Sequence, residues 1–173
     1  MSDNLQVIVH EEEIKTRVQE LAQEIETAYE GQDLTLIGLL EDSFMFLSDL
    51  LRAFQRPVRC GFMKATEQHE AGHKGIIYST TTDLKDQNIL LVGGILDTGV
   101  TLDFLFSHIQ SLGTNSIRSV VLIDKPDFRK VEIKPDFVGF SRTEDMIVGY
   151  GLGFHDQYRQ LSYLASLADF TKE

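Results

Sequence analysis

Asp97-Thr98-Gly99-Val100-Thr101 places a carboxylate, two hydroxyls and a glycine within five residues. The carboxylate can exchange a proton with a ligand, and hydroxyls beside unpaired backbone N–H groups can cradle a phosphate. The segment follows the apolar run Ile89-Leu90-Leu91-Val92-Gly93-Gly94-Ile95-Leu96. It leads at once into a helical apolar pattern at Leu102, Leu105, Phe106, Ile109 and Leu112. A strand, a tight glycine turn and a helix start are therefore expected, and a phosphate would meet the N–H groups of that helix start. An ordinary strand-to-helix turn would read the same way from these five residues alone. Two cations lie further on. Lys125 follows Leu122-Ile123-Asp124, and Arg159 follows the glycine-rich stretch Ile147-Val148-Gly149-Tyr150-Gly151-Leu152-Gly153-Phe154. Each could meet an anion or a carbonyl oxygen, or could equally be a solvated loop lysine and a helix-surface arginine.

The elements that position these residues follow from periodicity. Glu11 to Tyr29 carries Ile14, Val18, Leu21 and Ile25 at helical spacing, with acids in its first turn. Leu34 to Leu40 reads as a strand. Asp42 or Ser43 then caps a helix bearing Phe44, Leu47, Leu51 and Phe54, which ends before Pro57. Val58 to Met63 reads as a strand and Thr66 to Lys74 as a polar, mobile loop. After the central run comes a strand over Ile117 to Ile123, with Gly113 ending the helix between them. Phe137 to Phe140 and Met146 to Val148 suggest a late pair of strands. Strands separated by helices predict a parallel α/β sheet, whose ligands sit beyond the carboxyl ends of the strands.

Composition sets the outer bounds. A chain of 173 residues with 42% hydrophobic content supports one domain, residues 1–173, with a substantial core. No apolar run approaches the ~20 residues that span a bilayer, and the acidic N-terminus is unlike a signal peptide, so a cytoplasmic location is expected. The single cysteine, Cys60, cannot form an internal disulfide and reads as a strand residue of the core. A net charge of −11 argues against a nucleic-acid partner and leaves a polyphosphate ligand dependent on a divalent cation or a locally basic pocket.

Three phrases in sequence order resemble one family. They are the Ile89–Thr101 segment, Leu122-Ile123-Asp124-Lys125-Pro126 with Lys134-Pro135-Asp136-Phe137-Val138-Gly139-Phe140, and Ile147 to Phe154 running on to Arg159. Together they resemble the hypoxanthine-guanine phosphoribosyltransferases, which are type I phosphoribosyltransferases. The resemblance implies a mainly parallel sheet flanked by helices, a small hood built from the chain ends, and a homodimer or homotetramer. It also implies transfer of a phosphoribosyl group from phosphoribosyl pyrophosphate to a 6-oxopurine, with Mg²⁺ if the site turns over. Position by position, Asp97 would be the general acid/base near the purine N7. Thr98, Gly99, Val100 and Thr101 would join it in holding the 5′-phosphate. Lys125 would donate to the purine O6, Met146 would lie on the base where an aromatic ring is usual, and Ile147 would offer backbone to the purine edge. Arg159 would meet pyrophosphate.

The departures from the family pattern cluster at ligand contacts. Gly93 and Gly94 replace the two acids that grip the ribose hydroxyls, and Gly153 replaces an acid that helps hold Mg²⁺. Glu41-Asp42 replaces a basic residue and glycine, and Glu67-Gln68 replaces the Ser-Tyr pair of the closing loop. A carboxylate ~4 Å from a pyrophosphate charge costs roughly 4 kcal/mol at an effective dielectric of ~20, on the order of a thousandfold in binding. The expectation is a homologue that binds a purine nucleotide or 5′-phosphate with impaired catalysis. The alternative is an active enzyme whose pyrophosphate and Mg²⁺ site is rebuilt around Glu41, Asp42 or Glu67. A third reading, a purely structural subunit, would need neither Asp97 nor Lys125. Restoring acids at Gly93 and Gly94 is expected to fold normally if both glycines are ordinary β residues.

Overall fold

The computed structural model describes residues 5–67, 74–78 and 83–167. In chain order it begins with β1 (Leu5–Val9), α1 (Glu11–Ala28), β2 (Thr35–Leu39), α2 (Phe44–Ala53), β3 (Arg59–Glu67) and β4 (Lys74–Tyr78). It continues with β5 (Asn88–Leu96), α3 (Val100–Ser111), β6 (Ser116–Asp124), β7 (Phe137–Ser141), β8 (Ile147–Val148) and β9 (Leu164–Leu167). The main sheet has the order β4-β3-β2-β5-β6-β7, in which five strands run parallel and β4 pairs antiparallel at one edge. A separate three-stranded antiparallel sheet, β1-β9-β8, forms the hood. This is the α/β architecture with a hood that the sequence implied.

Alternation along β5 explains why it is apolar at nearly every position. Leu90 and Val92 face the cluster that holds α1 and α2, including Ile14, Val18, Leu47 and Leu50. Ile89 and Leu91 face the opposite cluster with Leu102, Leu105 and Ile109 of α3. A strand covered on both faces has no solvent side and needs no polar alternation. Gly113, at φ 76°, ends α3 as expected.

Several expectations need correction. Ser43 stands at the start of α2, yet its hydroxyl donates back to the Leu39 carbonyl at 2.8 Å rather than capping the helix. The expected loop over Thr66 to Lys74 is narrower, because pairing of Thr66 with Gly75 and of Glu67 with Lys74 carries β3 and β4 inward. The intervening residues 68–73 lie outside the described residues. Phe137–Ser141 and Ile147–Val148 are not a pair of partners. The first joins β6 in the main sheet and the second joins β9 in the hood. Short strands carry no periodic signal of their sheet, so only long-range pairing decides it.

Arg17 of α1 ties the helical layer to edge strand β7. Its Nη2 donates to Val138 O at 2.8 Å and its Nε to Gly139 O at 3.2 Å, while Nη1 is shared by Glu20 and Glu24. Charge-assisted bonds to backbone contribute on the order of 1–3 kcal/mol when their loss leaves carbonyls unpaired. Arg17→Met, which keeps the apolar stem, should therefore lower Tm by roughly 3–8 °C. A differential scanning calorimetry trace unchanged from the parent would show that these bonds do not hold α1 to the sheet.

Candidate functional site

The segment leaves the carboxyl end of β5, with Asp97 to Gly99 forming the turn and Val100 and Thr101 opening α3. Asp97 and Thr101 are exposed and Thr98 is half-buried, so the turn faces solvent. Gly99 adopts φ 81° at the start of α3. A side chain there would be strained in φ, and its Cβ would lie 2.5 Å from an Ile133 methyl and 2.9 Å from one of Val131. Glycine is thus required by both conformation and packing. The turn satisfies some of its own donors: the Thr98 N–H donates to Asp97 Oδ1 at 2.6 Å and the Val100 N–H to Thr98 Oγ1 at 3.4 Å. The first intrahelical bond runs from Asp103 N to Gly99 O at 2.9 Å. The N–H groups before it have no carbonyl four residues back, which is the arrangement that attracts an anion.

Lys125 sits at the end of β6 beside that turn. Its N–H donates to Leu96 O at 2.9 Å, which fixes the two strand ends together. Its side chain is 3% exposed, with Nζ 2.9 Å from Asp145 O and 3.8 Å from the centre of the Phe128 ring. The contact with Asp145 brings the lysine to the segment carrying Met146, which is half-buried, and Ile147, which is buried and paired with Ser166 in the hood. Arg129, not singled out in the sequence, organises this corner. Its guanidinium donates to Leu96 O at 2.8 Å, to the Asp97 carbonyl and to Lys125 O at 3.3 Å, and pairs with Asp124. The clue in the sequence is the spacing of Asp124 and Arg129 around Pro126, which returns the chain on itself.

The opposite wall is built from the altered positions. Arg159 lies in a turn rather than on a helix. Its Nη1 donates to Asp42 Oδ1 at 2.5 Å and to Gly151 O at 2.6 Å, and its Nη2 is 3.7 Å from Glu41 Oε2. Glu41 also accepts from Lys64 Nζ at 2.6 Å. That bond, more than the charges themselves, holds the Glu41 carboxyl below the usual carboxylate range. Lys64 was not foreseen as a site residue. It projects from β3 beside β2, a neighbour that only the parallel pairing supplies.

The two glycines on β5 prove unequal. Both lie in extended strand, yet a Cβ on Gly94 would lie 2.5 Å from the Asp42 carbonyl oxygen, whereas one on Gly93 would meet a Val121 methyl at 3.3 Å. A Cβ on Gly153 would lie 2.8 Å from Arg159 Cζ and Nε. Restoring an acid at position 94 therefore does not fold normally without moving the Asp42 backbone, contrary to the expectation from β conformation alone. Glu67 ends β3, and Gln68 lies outside the described residues.

These donors do not make a Mg²⁺ site. Asp97 is turned to its neighbouring N–H, and Glu41 and Asp42 are engaged by Lys64 and Arg159. Mg²⁺ requires carboxylates free to enter near-octahedral geometry. Among the described residues, no helix is long and apolar enough to cross a membrane.

Comparison with known proteins gives one consistent picture. The model of the phosphoribosyl transferase domain matches residues 6–158. The hypoxanthine-guanine phosphoribosyltransferase of Aquifex aeolicus is 35% identical over 170 residues, covering 95% of this chain and 96% of the relative. That of Lactococcus lactis subsp. lactis is 36% identical over 165 residues, covering 93% and 90%. A crystal structure of a hypoxanthine-guanine phosphoribosyltransferase from Bacillus anthracis superposes with a TM-score of 0.88 at 32% identity, covering 95% of this chain and 99% of that one.

The unequal glycines give a direct check. Gly94→Ala should destabilise the protein by about 1–3 kcal/mol, because backbone rather than a side-chain end must yield. Gly93→Ala should stay within about 1 kcal/mol of the parent, since a valine methyl can shift by a few tenths of an ångström. Urea unfolding of the two variants measures the difference, and equal midpoints would refute the asymmetry.

Proposed function

The chain belongs to the phosphoribosyltransferase family, in its hypoxanthine-guanine branch, and from that premise we propose that it binds a purine nucleoside monophosphate while transferring phosphoribosyl groups poorly. The observation that carries this reading is an asymmetry between the two walls of the site. The Asp97–Thr101 turn keeps its glycine, its hydroxyls and its open helix start, whereas the cation opposite, Arg159, is already engaged by Asp42.

In this reading the 5′-phosphate seats on the backbone N–H groups at the start of α3 and on the Thr98 and Thr101 hydroxyls. The phosphate takes over the N–H that Asp97 now accepts from, which frees that carboxylate to turn toward the purine N7. Lys125, oriented by Asp145 O and by the Arg129 brace, donates to the purine O6. An amino group at that position would put donor against donor, so adenine is disfavoured. Met146 packs its thioether on the base face, an adaptable contact with less stacking than an aromatic ring. Asp97 holds or releases the proton at N7.

Transfer from phosphoribosyl pyrophosphate asks for more. The leaving pyrophosphate must be stabilised as charge develops. In this reading Glu41 and Asp42 would stand beside the arriving pyrophosphate, and Gly93 and Gly94 offer no carboxylates to the ribose hydroxyls. The ionised contacts so lost are worth ~1.5–3 kcal/mol each. The second reading, an active enzyme with a rebuilt pyrophosphate and Mg²⁺ site, would need Glu41 or Asp42 to leave its cation, or Glu67 to serve the metal.

One assay pair separates the two. Isothermal titration with GMP or IMP should show binding at the turn, weakened roughly five- to tenfold by Thr101→Ala, the loss expected for one hydroxyl donor. The kcat/KM for hypoxanthine or guanine with phosphoribosyl pyrophosphate and Mg²⁺ should fall below the common enzyme range of ~10⁴–10⁸ M⁻¹s⁻¹. A value inside that range would establish the second reading. Absence of any nucleotide binding would refute both the cradle and the proposal.

A further inference from the structure

Four departures that look independent along the chain are one interlocked arrangement in space. Asp42 holds the Arg159 guanidinium at 2.5 Å, and Glu41 bridges from Lys64 at 2.6 Å to Arg159 at 3.7 Å. The Asp42 backbone reaches this position because residue 94 has no side chain: a Cβ there would lie 2.5 Å from its carbonyl oxygen. The Arg159 side chain lies across residue 153 for the same reason, since a Cβ there would lie 2.8 Å from Nε and Cζ. Gly151 completes the seat, with its carbonyl accepting from Arg159 at 2.6 Å and its own N–H donating to Arg159 O at 3.0 Å. The two glycine replacements thus provide the space that the two acidic replacements use.

We infer that Glu41 and Asp42 act as a built-in anion that occupies Arg159 and Lys64, making them specificity determinants that admit ligands with a single phosphate and reject ligands with a second anionic group. This deepens the nucleoside monophosphate reading and rests on it for the location of the first phosphate. The physical basis is competition for a limited set of donors. A guanidinium that pairs with a carboxylate has both geometry and charge committed, and an incoming diphosphate must displace the carboxylate and then sit beside it. All four side chains keep some contact with solvent, at 25% exposure for Arg159, 46% for Asp42, 54% for Glu41 and 44% for Lys64. Screening therefore moderates the effect of each charge without abolishing it.

A site silenced by its missing acids alone would behave differently. If the built-in anion governs rejection, removing its charge should admit a diphosphate although Gly93, Gly94 and Gly153 are unchanged. If missing acids govern, the same removal should do nothing.

The test is calorimetric titration of inorganic pyrophosphate, without added metal, into the parent, Glu41→Gln, the double variant Glu41→Gln/Asp42→Asn, and that double variant carrying Arg159→Gln. GMP is titrated into each as a separate measure of the cradle. Pyrophosphate affinity should rise roughly three- to tenfold in Glu41→Gln and about thirtyfold or more in the double variant, with Arg159→Gln abolishing the gain. The GMP affinity should change by less than the pyrophosphate affinity. Pyrophosphate affinities equal in the parent and both acid-neutralised variants would overturn the inference, as would a gain that survives Arg159→Gln. Should the double variant not fold, Glu41→Gln decides alone, because its side chain is solvent-facing and plays no part in the core. Failure of GMP to bind any of the proteins would remove the cradle reading, while the pyrophosphate ratios would still judge this inference.

Discussion

The Arg159 guanidinium reaches from the turn between β8 and β9 to Asp42 just beyond β2, and this ion pair ties that turn to the main sheet. Around it, the Tyr150 N–H donates to Leu161 O at 2.8 Å, and the Tyr150 hydroxyl donates to Asp49 of α2 at 2.6 Å. Burial, reinforced by that bond, pushes the Tyr150 phenol well above its usual range, so it remains a neutral donor. The stretch closes on itself through left-handed backbone at Tyr150, His155, Asp156 and Tyr158. Each such non-glycine residue costs about 1–2 kcal/mol, which only cross-linking of this kind offsets. Without the Asp42 contact the segment loses its side-chain tie to the chain that follows β2.

The two walls obey different electrostatics. On the β5 side, donors come from backbone at a helix start, whose partial charge is fixed by geometry and needs no side chain. On the β2 side, donors come from long cationic side chains, which any nearby carboxylate can claim. A substitution that adds an acid therefore alters the second wall profoundly and leaves the first nearly untouched. This explains how the helix-start turn can be retained while the β2 side changes character. It also explains the role of Arg129, whose bonds to the Leu96, Asp97 and Lys125 carbonyls keep the first wall rigid irrespective of what happens on the second.

Asp97 and Lys125 are legible as strand-end residues because each follows a strand with a strong apolar signature, whereas Arg159 lies in a turn between β8 and β9. Ile89 to Leu96 reads as a strand buried on both faces and the pattern from Leu102 as a helix, which puts a turn at Asp97. In the structure that turn is Asp97 to Gly99, and Val100 and Thr101 already belong to α3. Lys125 followed in the same way from the Val120–Ile123 run. The hood was legible only through family resemblance, since Leu5–Val9 and Leu164–Leu167 are short and lie at opposite ends of the chain. The extension of β3 is not legible in the sequence because Thr66 and Glu67 are polar, and β4 is too short, at Lys74–Tyr78, to announce its pairing with β3.

By itself the sequence determined the central strands and helices and the place of the turn after β5, while the family resemblance marked the positions where residue chemistry departs from the pattern. Periodicity and turn residues are local properties, and local properties are written in the chain. Tertiary structure alone decided what the changes mean together. Nothing in the sequence says that Asp42 backbone rests on Gly94, that Arg159 lies over Gly153, or that Lys64 answers Glu41 across neighbouring strands. Asp42 meets Gly94, and Glu41 meets Lys64, across long stretches of chain because β2, β3 and β5 run parallel, whereas Arg159 returns over Gly153 because the chain turns back between β8 and β9. Charge pairing and steric allowance depend on distances of a few ångströms, and those distances are fixed by packing.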